Sequence, residues 1–283
     1  MTAVCKMKKI LFFEIKEFTG ATRVTRTLAK AATKEYEVAF AQVGENVRED
    51  IESAIARESP DILFSSFAEI NPRVIQVGKQ NNLYVVVRND YNLKDISKEQ
   101  KKKIIETYPY ADEVIAQTEE MKCELLQNVC VDSSKIKVMD NPLNEEEILQ
   151  KAAEPNPFPN NGFFHFLWVG RKAPVKDLPT LQKAFEIVNK QYTKTDLTLV
   201  SNDSNPYRWM KNADCLVISS RSEASPNVLR EALFLGLSVI STDCSETVRQ
   251  LLQSKYIVPT HNPEALAKAM AELVKNKVKG KNR

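Results

Sequence analysis

A chain of 283 residues has room for one large domain or two of average size. Its 43% hydrophobic and 27% charged residues are those of a globular protein, and no run of about 18 apolar residues suits a membrane crossing. A net charge of +3 is too mild to imply nucleic acid, and two histidines with five scattered cysteines, none in a CxxC pair, leave no spacing for a metal site.

In chain order, KKILFFEI (8–15) reads as a buried strand, and the spacing of Val24, Leu28 and Ala31 predicts a helix over 20–35. EVAFAQV (37–43), DILFSSF (61–67), LYVVVRN (83–89), DEVIAQT (112–118) and KIKVMDN (135–141) are further strands. Helices are expected at 45–59, 71–81, 96–108 and 119–128. Continuous apolar strands alternating with helices imply a parallel sheet covered on both faces. The pattern breaks at 141–162, where four prolines and many polar residues read as a linker. It restarts with strands at 163–170, 196–201, 215–220, 237–242 and 256–259. Helices are expected at 177–190, 205–212, 226–235, 245–253 and 263–275. The expectation is two doubly wound α/β domains, 1–143 and 162–283, joined by 144–161, with ligands at the C-terminal ends of the strands. The N-terminus lacks the apolar run and cleavage site of a signal peptide, so a cytoplasmic location is the default.

The chemistry collects after strands of the second half. In SEASPNVLREA (222–232), Ser225 is a candidate N-cap with Pro226 at the first helical position, and Gly236 suits a left-handed residue after the helix. The amides of Asn227 and Val228 would then present the positive end of the helix dipole to a phosphate. Glu223 precedes the helix. Glu231, half-buried among Leu229, Ala232 and Leu233, could accept hydrogen bonds from the vicinal hydroxyls of a ribose or sugar. The competing reading makes Glu223 an electrostatic cap and Glu231 the partner of a surface cation such as Arg230. Upstream, Arg171 and Lys176 stand in a strand-to-helix loop and suit a diphosphate, unless they are ordinary exposed cations. Cys215 and Cys244 sit in apolar runs and read as small buried hydrophobes.

Together, VGRKAPVKDLPTLQKAF, NADCLVISSRSEASPNVLREALFLGLSVISTD and IVPTHNPEALAKAM resemble the donor-binding half of glycosyltransferase family 4, over nearly all of 161–276. More loosely, KKILFFEI with FTGATRVTRTLAKAA, YADEVIAQTEEMKCELL and VMDNPLN resemble parts of its first half. The resemblance implies a GT-B fold, two Rossmann-like domains facing a cleft. It implies retaining transfer of a sugar from a nucleoside diphosphate donor to a glycan or lipid-linked acceptor, in surface polysaccharide or glycoconjugate synthesis. Arg171 and Lys176 match the basic pair on the donor diphosphate, Glu223 the acid on the donor sugar, and Glu231 the acid on the ribose. Asn227 and Val228 match the amides near the phosphates, with Ser225 beside them. Thr19 and Gly20 match the N-terminal loop near phosphate and acceptor. No DxD occurs, so metal-independent transfer without a cofactor is expected.

The chain also departs from that pattern. Where many members place an acceptor-side histidine, it reads Arg88, Asn89, Asp90. Ala224 replaces a common glycine, and about one helix–strand unit after LTLVSN is missing. A non-catalytic GT-B module that binds a nucleotide sugar or a partner glycosyltransferase is therefore the alternative. The stretch 96–108, with lysines beside Ile104 and Ile105, reads either as a peripheral contact with the inner face of the membrane or as a solvated basic helix.

Overall fold

The computed structural model describes residues 7–16, 19–201 and 203–280, and the side chains of the described residues up to 277. The chain divides into two compact units, Met1–Pro142 and Leu143–Arg283. In the first, strands β1 (Lys9–Ile15), β2 (Glu37–Val43), β3 (Ile62–Ser65), β4 (Tyr84–Arg88), β5 (Glu113–Ala116) and β6 (Ile136–Val138) pair in parallel in the order β2-β1-β3-β4-β5-β6. Helices α1 (Gly20–Ala32), α2 (Val47–Glu58), α3 (Asn71–Gln80), α4 (Lys98–Thr107) and α5 (Glu119–Val129) connect them.

The second unit opens with α6 (Glu145–Ala152). Then follow β7 (Phe164–Val169), α7 (Leu178–Gln191), β8 (Thr195–Val200), α8 (Tyr207–Asn212), β9 (Cys215–Ile218), α9 (Asn227–Phe234), β10 (Ser238–Thr242), α10 (Glu246–Leu251), β11 (Ile257–Val258) and α11 (Pro263–Gly280). Its strands are parallel in the order β11-β10-β9-β7-β8. Both sheets are thus wound the same way. The first strand of each unit has the second on one side and the third on the other, so the winding reverses between β1 and β3, and again between β7 and β9. Those are the places where an open α/β sheet leaves a crevice for a ligand.

The period-2 geometry of a strand explains why the second unit's strands are apolar throughout. Phe164, Phe166 and Trp168 of β7, with Cys215 and Val217 of β9, pack on one face against α7 and α11. Leu167, Leu216 and Ile218 pack on the other, against α6, α8 and α9. Cys215 and Cys244 are buried thiols, as expected, and burial raises the pKa of both, to about 11 for Cys244.

Part of the proline-rich stretch read as linker is folded. Its α6 buries Ile148 and Ala152 in the second unit's core. Further on, Phe158 is buried, stacks on His165 at 4.3 Å and meets the edge of Trp209 at 5.2 Å between ring centroids. Asn144 caps α6 through Glu147, and three glutamates in its first turn suit the helix dipole. Polar composition masked a helix whose apolar residues number only a few.

Candidate donor-type site of the second unit

The loops leaving β7 and β9 meet at the winding reversal. After β7, residues 170–173 lead into a tight turn over Pro174–Lys176, and Asp177 takes a left-handed conformation at φ 45°. After β9, buried Ser219 and Ser220 lead through Glu223 to Pro226. Lys176 Nζ donates to Glu223 Oε1 at 2.5 Å, and Ser220 Oγ donates to the same oxygen at 2.6 Å. The Ser219 hydroxyl donates to the Lys176 carbonyl at 2.7 Å, and the Arg221 amide to the Val175 carbonyl at 2.8 Å. The two loops are therefore stitched at both main-chain and side-chain level.

Asp177 ties in a third loop. Its carboxylate lies 3.4 Å from Arg221 Nε and 2.8 Å from His261 Nδ1, in the loop after β11. Burial opposes its ionisation, yet the hydrogen bonds from Arg221 and Thr180 and the charges of Arg221 and His261 outweigh that and hold its pKa low. The far side of the β9 loop is fixed to β10: Thr242 Oγ1 donates to the Ser220 carbonyl at 2.5 Å, and the Glu223 amide to the Cys244 carbonyl at 2.9 Å.

The helix start differs by one residue from the expected one. Pro226, not Ser225, is the N-cap, and Asn227 and Val228 open the first turn of α9. Ser225 is buried, and its hydroxyl accepts a 3.1 Å hydrogen bond from Thr247 Oγ1 of α10. A proline cap offers no side-chain acceptor, and α9 has no side-chain cap hydrogen bond at its start. The other end is as expected. Gly236 is left-handed at φ 74°, with Leu237 N bonded to Ala232 O at 2.9 Å and Gly236 N to Leu233 O at 3.0 Å, a Schellman closure. Glu231 is more deeply buried than its sequence suggests, 4% exposed, and accepts a 3.2 Å hydrogen bond from the Tyr207 hydroxyl. That excludes a solvated surface carboxylate. Arg171 is exposed in the β7 loop. Among the described residues no cluster of histidine, cysteine or acidic side chains could hold a metal ion.

In the first unit Thr19 caps α1 at the end of β1, in a reciprocal capping box with Thr22, and Gly20 is the first helical residue. Arg88, Asn89 and Asp90 close β4 but do not share one environment. Arg88 is 2% exposed, and its guanidinium donates to Asn141 Oδ1. Asn71 Nδ2 donates to the Arg88 carbonyl and to the Tyr108 hydroxyl, each at 3.0 Å. Asn89 is enclosed too, accepting from Tyr108 at 3.2 Å and, through its carbonyl, from Gln117 at 3.0 Å. Asp90 is half-buried and accepts the Ala68 amide at 3.1 Å. Desolvation pushes its pKa up to about 7, against the pull of Arg88 and with a push from Glu69, and desolvation brings Arg88 down to about 10.

Ser220, Asp177 and Tyr207 escape a reading from sequence. The signals were a serine pair at a strand end and an aspartate opening a helix, both too common to single out.

Comparison with known proteins fits this geometry. Residues 163–276 match the family model described as Glycosyl transferases group 1. An uncharacterized glycosyltransferase of Methanocaldococcus jannaschii is 29% identical over 176 residues, covering 51% of this chain and 43% of that protein. The N-acetylgalactosamine-N,N'-diacetylbacillosaminyl-diphospho-undecaprenol 4-alpha-N-acetylgalactosaminyltransferase of Campylobacter jejuni is 26% identical over 166 residues, covering 51% of this chain and 45% of that enzyme. The chain thus matches less than half the length of these curated relatives. The structure of Anabaena HepE in complex with UDP-glucose superposes with a TM-score of 0.76 at 13% identity, over 96% of this chain and 91% of that one. The fold is that of the GT-B glycosyltransferases, two Rossmann-like units with parallel sheets.

Proposed function

We propose that the protein is a glycosyltransferase of the retaining, family 4 type, moving a sugar from a nucleoside diphosphate to a glycan or lipid-linked acceptor. The observation that carries this reading is the Lys176–Glu223 pair at the winding reversal of a domain matching Glycosyl transferases group 1, beside the first turn of α9. The anomeric C–O bond to the diphosphate breaks, and the acceptor hydroxyl attacks the same face. Its proton passes to the departing phosphate oxygen. Charge growing on that diphosphate meets Arg171, Lys176 and the α9 dipole, in place of a divalent ion. Glu223 contacts the donor sugar and Glu231 the ribose hydroxyls. Thr19 and Gly20 belong to the donor side, near the phosphates and the acceptor, and Arg88, Asn89 and Asp90 after β4 to the acceptor side, where Arg88 and Asn89 also hold the end of the strand. Because the HepE structure contains UDP-glucose and the Campylobacter relative is named for a diphospho-undecaprenol substrate, uridine diphosphate sugars and lipid-linked acceptors are the first to test.

The test is turnover of a panel of nucleotide sugars, with the anomeric configuration of the product read by NMR and chelator added in a parallel arm. Expected are a retained configuration and a rate indifferent to chelator. Glu223→Ala should lower turnover on the order of a hundredfold, as loss of a group acting in the transition state does. Stabilisation by nucleotide sugars with neither transfer nor hydrolysis would replace this reading with the non-catalytic binding module.

A further inference from the structure

The Glu231 carboxylate is 4% exposed, on a helix whose neighbours are apolar. A buried carboxylate must be hydrogen-bonded to stay ionised. The nature of its donor matters. A phenolic hydroxyl bonded to one carboxylate oxygen holds the plane of the group and uses only part of its acceptor capacity. Tyr207, 4% exposed, is such a donor, reaching Glu231 Oε1 at 3.2 Å.

The chain builds Tyr207 into place with care. The connection from β8 to β9 is short, and its polar side chains bond to it. Asp203 accepts the Asn205 amide at 2.8 Å and Trp209 Nε1 at 2.8 Å. Asn205 Oδ1 in turn accepts the amides of Tyr207 at 3.1 Å and Arg208 at 3.4 Å, while its Nδ2 donates to the Lys151 carbonyl at 2.9 Å. Pro206 holds its own φ at −71° through its ring. The backbone of Tyr207 is thus set from both sides, and its ring packs with Met210, Leu229 and Ala232 in the core that also seats α9.

We propose that Tyr207 is a positioning residue that fixes the rotation of the Glu231 carboxylate, so that vicinal hydroxyls of a nucleotide ribose meet a preset acceptor plane. This rests on the assignment of Glu231 to the ribose. Pre-setting matters because a carboxylate free to rotate must be ordered at the moment of binding.

The experiment measures binding of UDP, GDP and ADP, each beside its 2′,3′-dideoxy counterpart, to the wild type and to Tyr207→Phe, Glu231→Gln and Met210→Ala. The ratio of the two affinities is the readout. For the nucleotide that binds, the wild type should prefer the ribose form and Glu231→Gln should lose that preference. Tyr207→Phe should lower it by about tenfold, the size expected for one hydrogen bond to a charged group, with dideoxy affinity unchanged. Met210→Ala, a loosened core of the same helix with no bond to Glu231, should melt lower and keep the full ratio. If Glu231→Gln loses the preference while Tyr207→Phe keeps it, the role of Tyr207 is overturned and that of Glu231 stands. A ratio lowered as much by Met210→Ala as by Tyr207→Phe would reduce Tyr207 to packing. A wild type without preference would overturn the assignment of Glu231 itself.

Discussion

Asp90 shows how one residue's surroundings reach the behaviour of the whole chain. Its carboxyl pKa is pushed up to about 7, first by desolvation, while the same group in an unfolded chain titrates in the ordinary carboxylate range. The folded protein therefore binds the proton more tightly than the unfolded one. The stability this gives is full below the unfolded value, near 4, and is lost as pH rises through about 7. Asp90→Asn removes the titration, so its melting temperature should fall less between pH 5 and pH 8 than that of the wild type. Parallel pH profiles for the two proteins would refute the raised pKa. Tyr108, raised by the same burial, titrates too high to contribute in that window. Glu223 presents a different situation: Lys176 and Ser220 converge on one of its oxygens, so under the proposed function an incoming diphosphate would take Lys176 over from an existing partner. Lys176 is therefore not the ordinary exposed cation that the sequence left open.

At the scale of elements, what the sequence revealed depended on which force shaped each segment. Strands such as FFHFLWVG are apolar because both faces are covered, and that pattern survives any detail of packing. The end of α9 was legible because a left-handed residue after a helix favours glycine, and Gly236 provides it. Its start was not, because both Ser225 and Pro226 fit an opening turn, and a tertiary partner, Thr247, decided between them. Arg171, Lys176, Glu223 and Glu231 stood out by charge after strands or beside a helix start. Tyr207 and Ser220 are defined only by what they touch. The helix α6 was hidden by its charges, since Ile148 and Ala152 are buried by α8 and the second sheet and not by any local repeat. A fragment of 143–283 should therefore melt cooperatively, and one of 162–283 should be less stable by about 2 kcal/mol or more, the range for lost buried aliphatic packing. Equal denaturant midpoints for the two fragments would remove α6 from the second unit's core.

For the molecule as a whole, the question is where it works. No described helix is long and apolar enough to cross a membrane. The sequence KEQKKKIIET of α4 has four lysines and two glutamates, a net charge of +2, and Ile105 is 40% exposed beside them. Two of those lysines already lie near acids, Lys103 at 2.7 Å from Glu99 and Lys102 at 3.8 Å from Glu106. An attraction of about 1 kcal/mol per basic residue is thus partly cancelled before any lipid is met. Binding to anionic vesicles should be weak and fade with added salt, and changing Lys101, Lys102 and Lys103 to Glu should abolish it. Sedimentation with vesicles unaffected by that triple change would move the contact elsewhere.

The floor of the β7 loop has a further consequence. A Cβ placed on Gly170 would stand 3.4 Å from ring atoms of the Trp168 indole and 3.9 Å from Cε of Lys176. The chain has one other tryptophan, Trp209, so a Trp209→Phe variant emits from Trp168 alone. An indole's emission answers to the charges beside it, and the Lys176 ammonium is the charge that a diphosphate would draw away from Glu223. Under the proposed function, titrating a nucleotide sugar into that variant should shift the Trp168 emission without label or coupled assay, and an unchanged spectrum would separate the indole from the site.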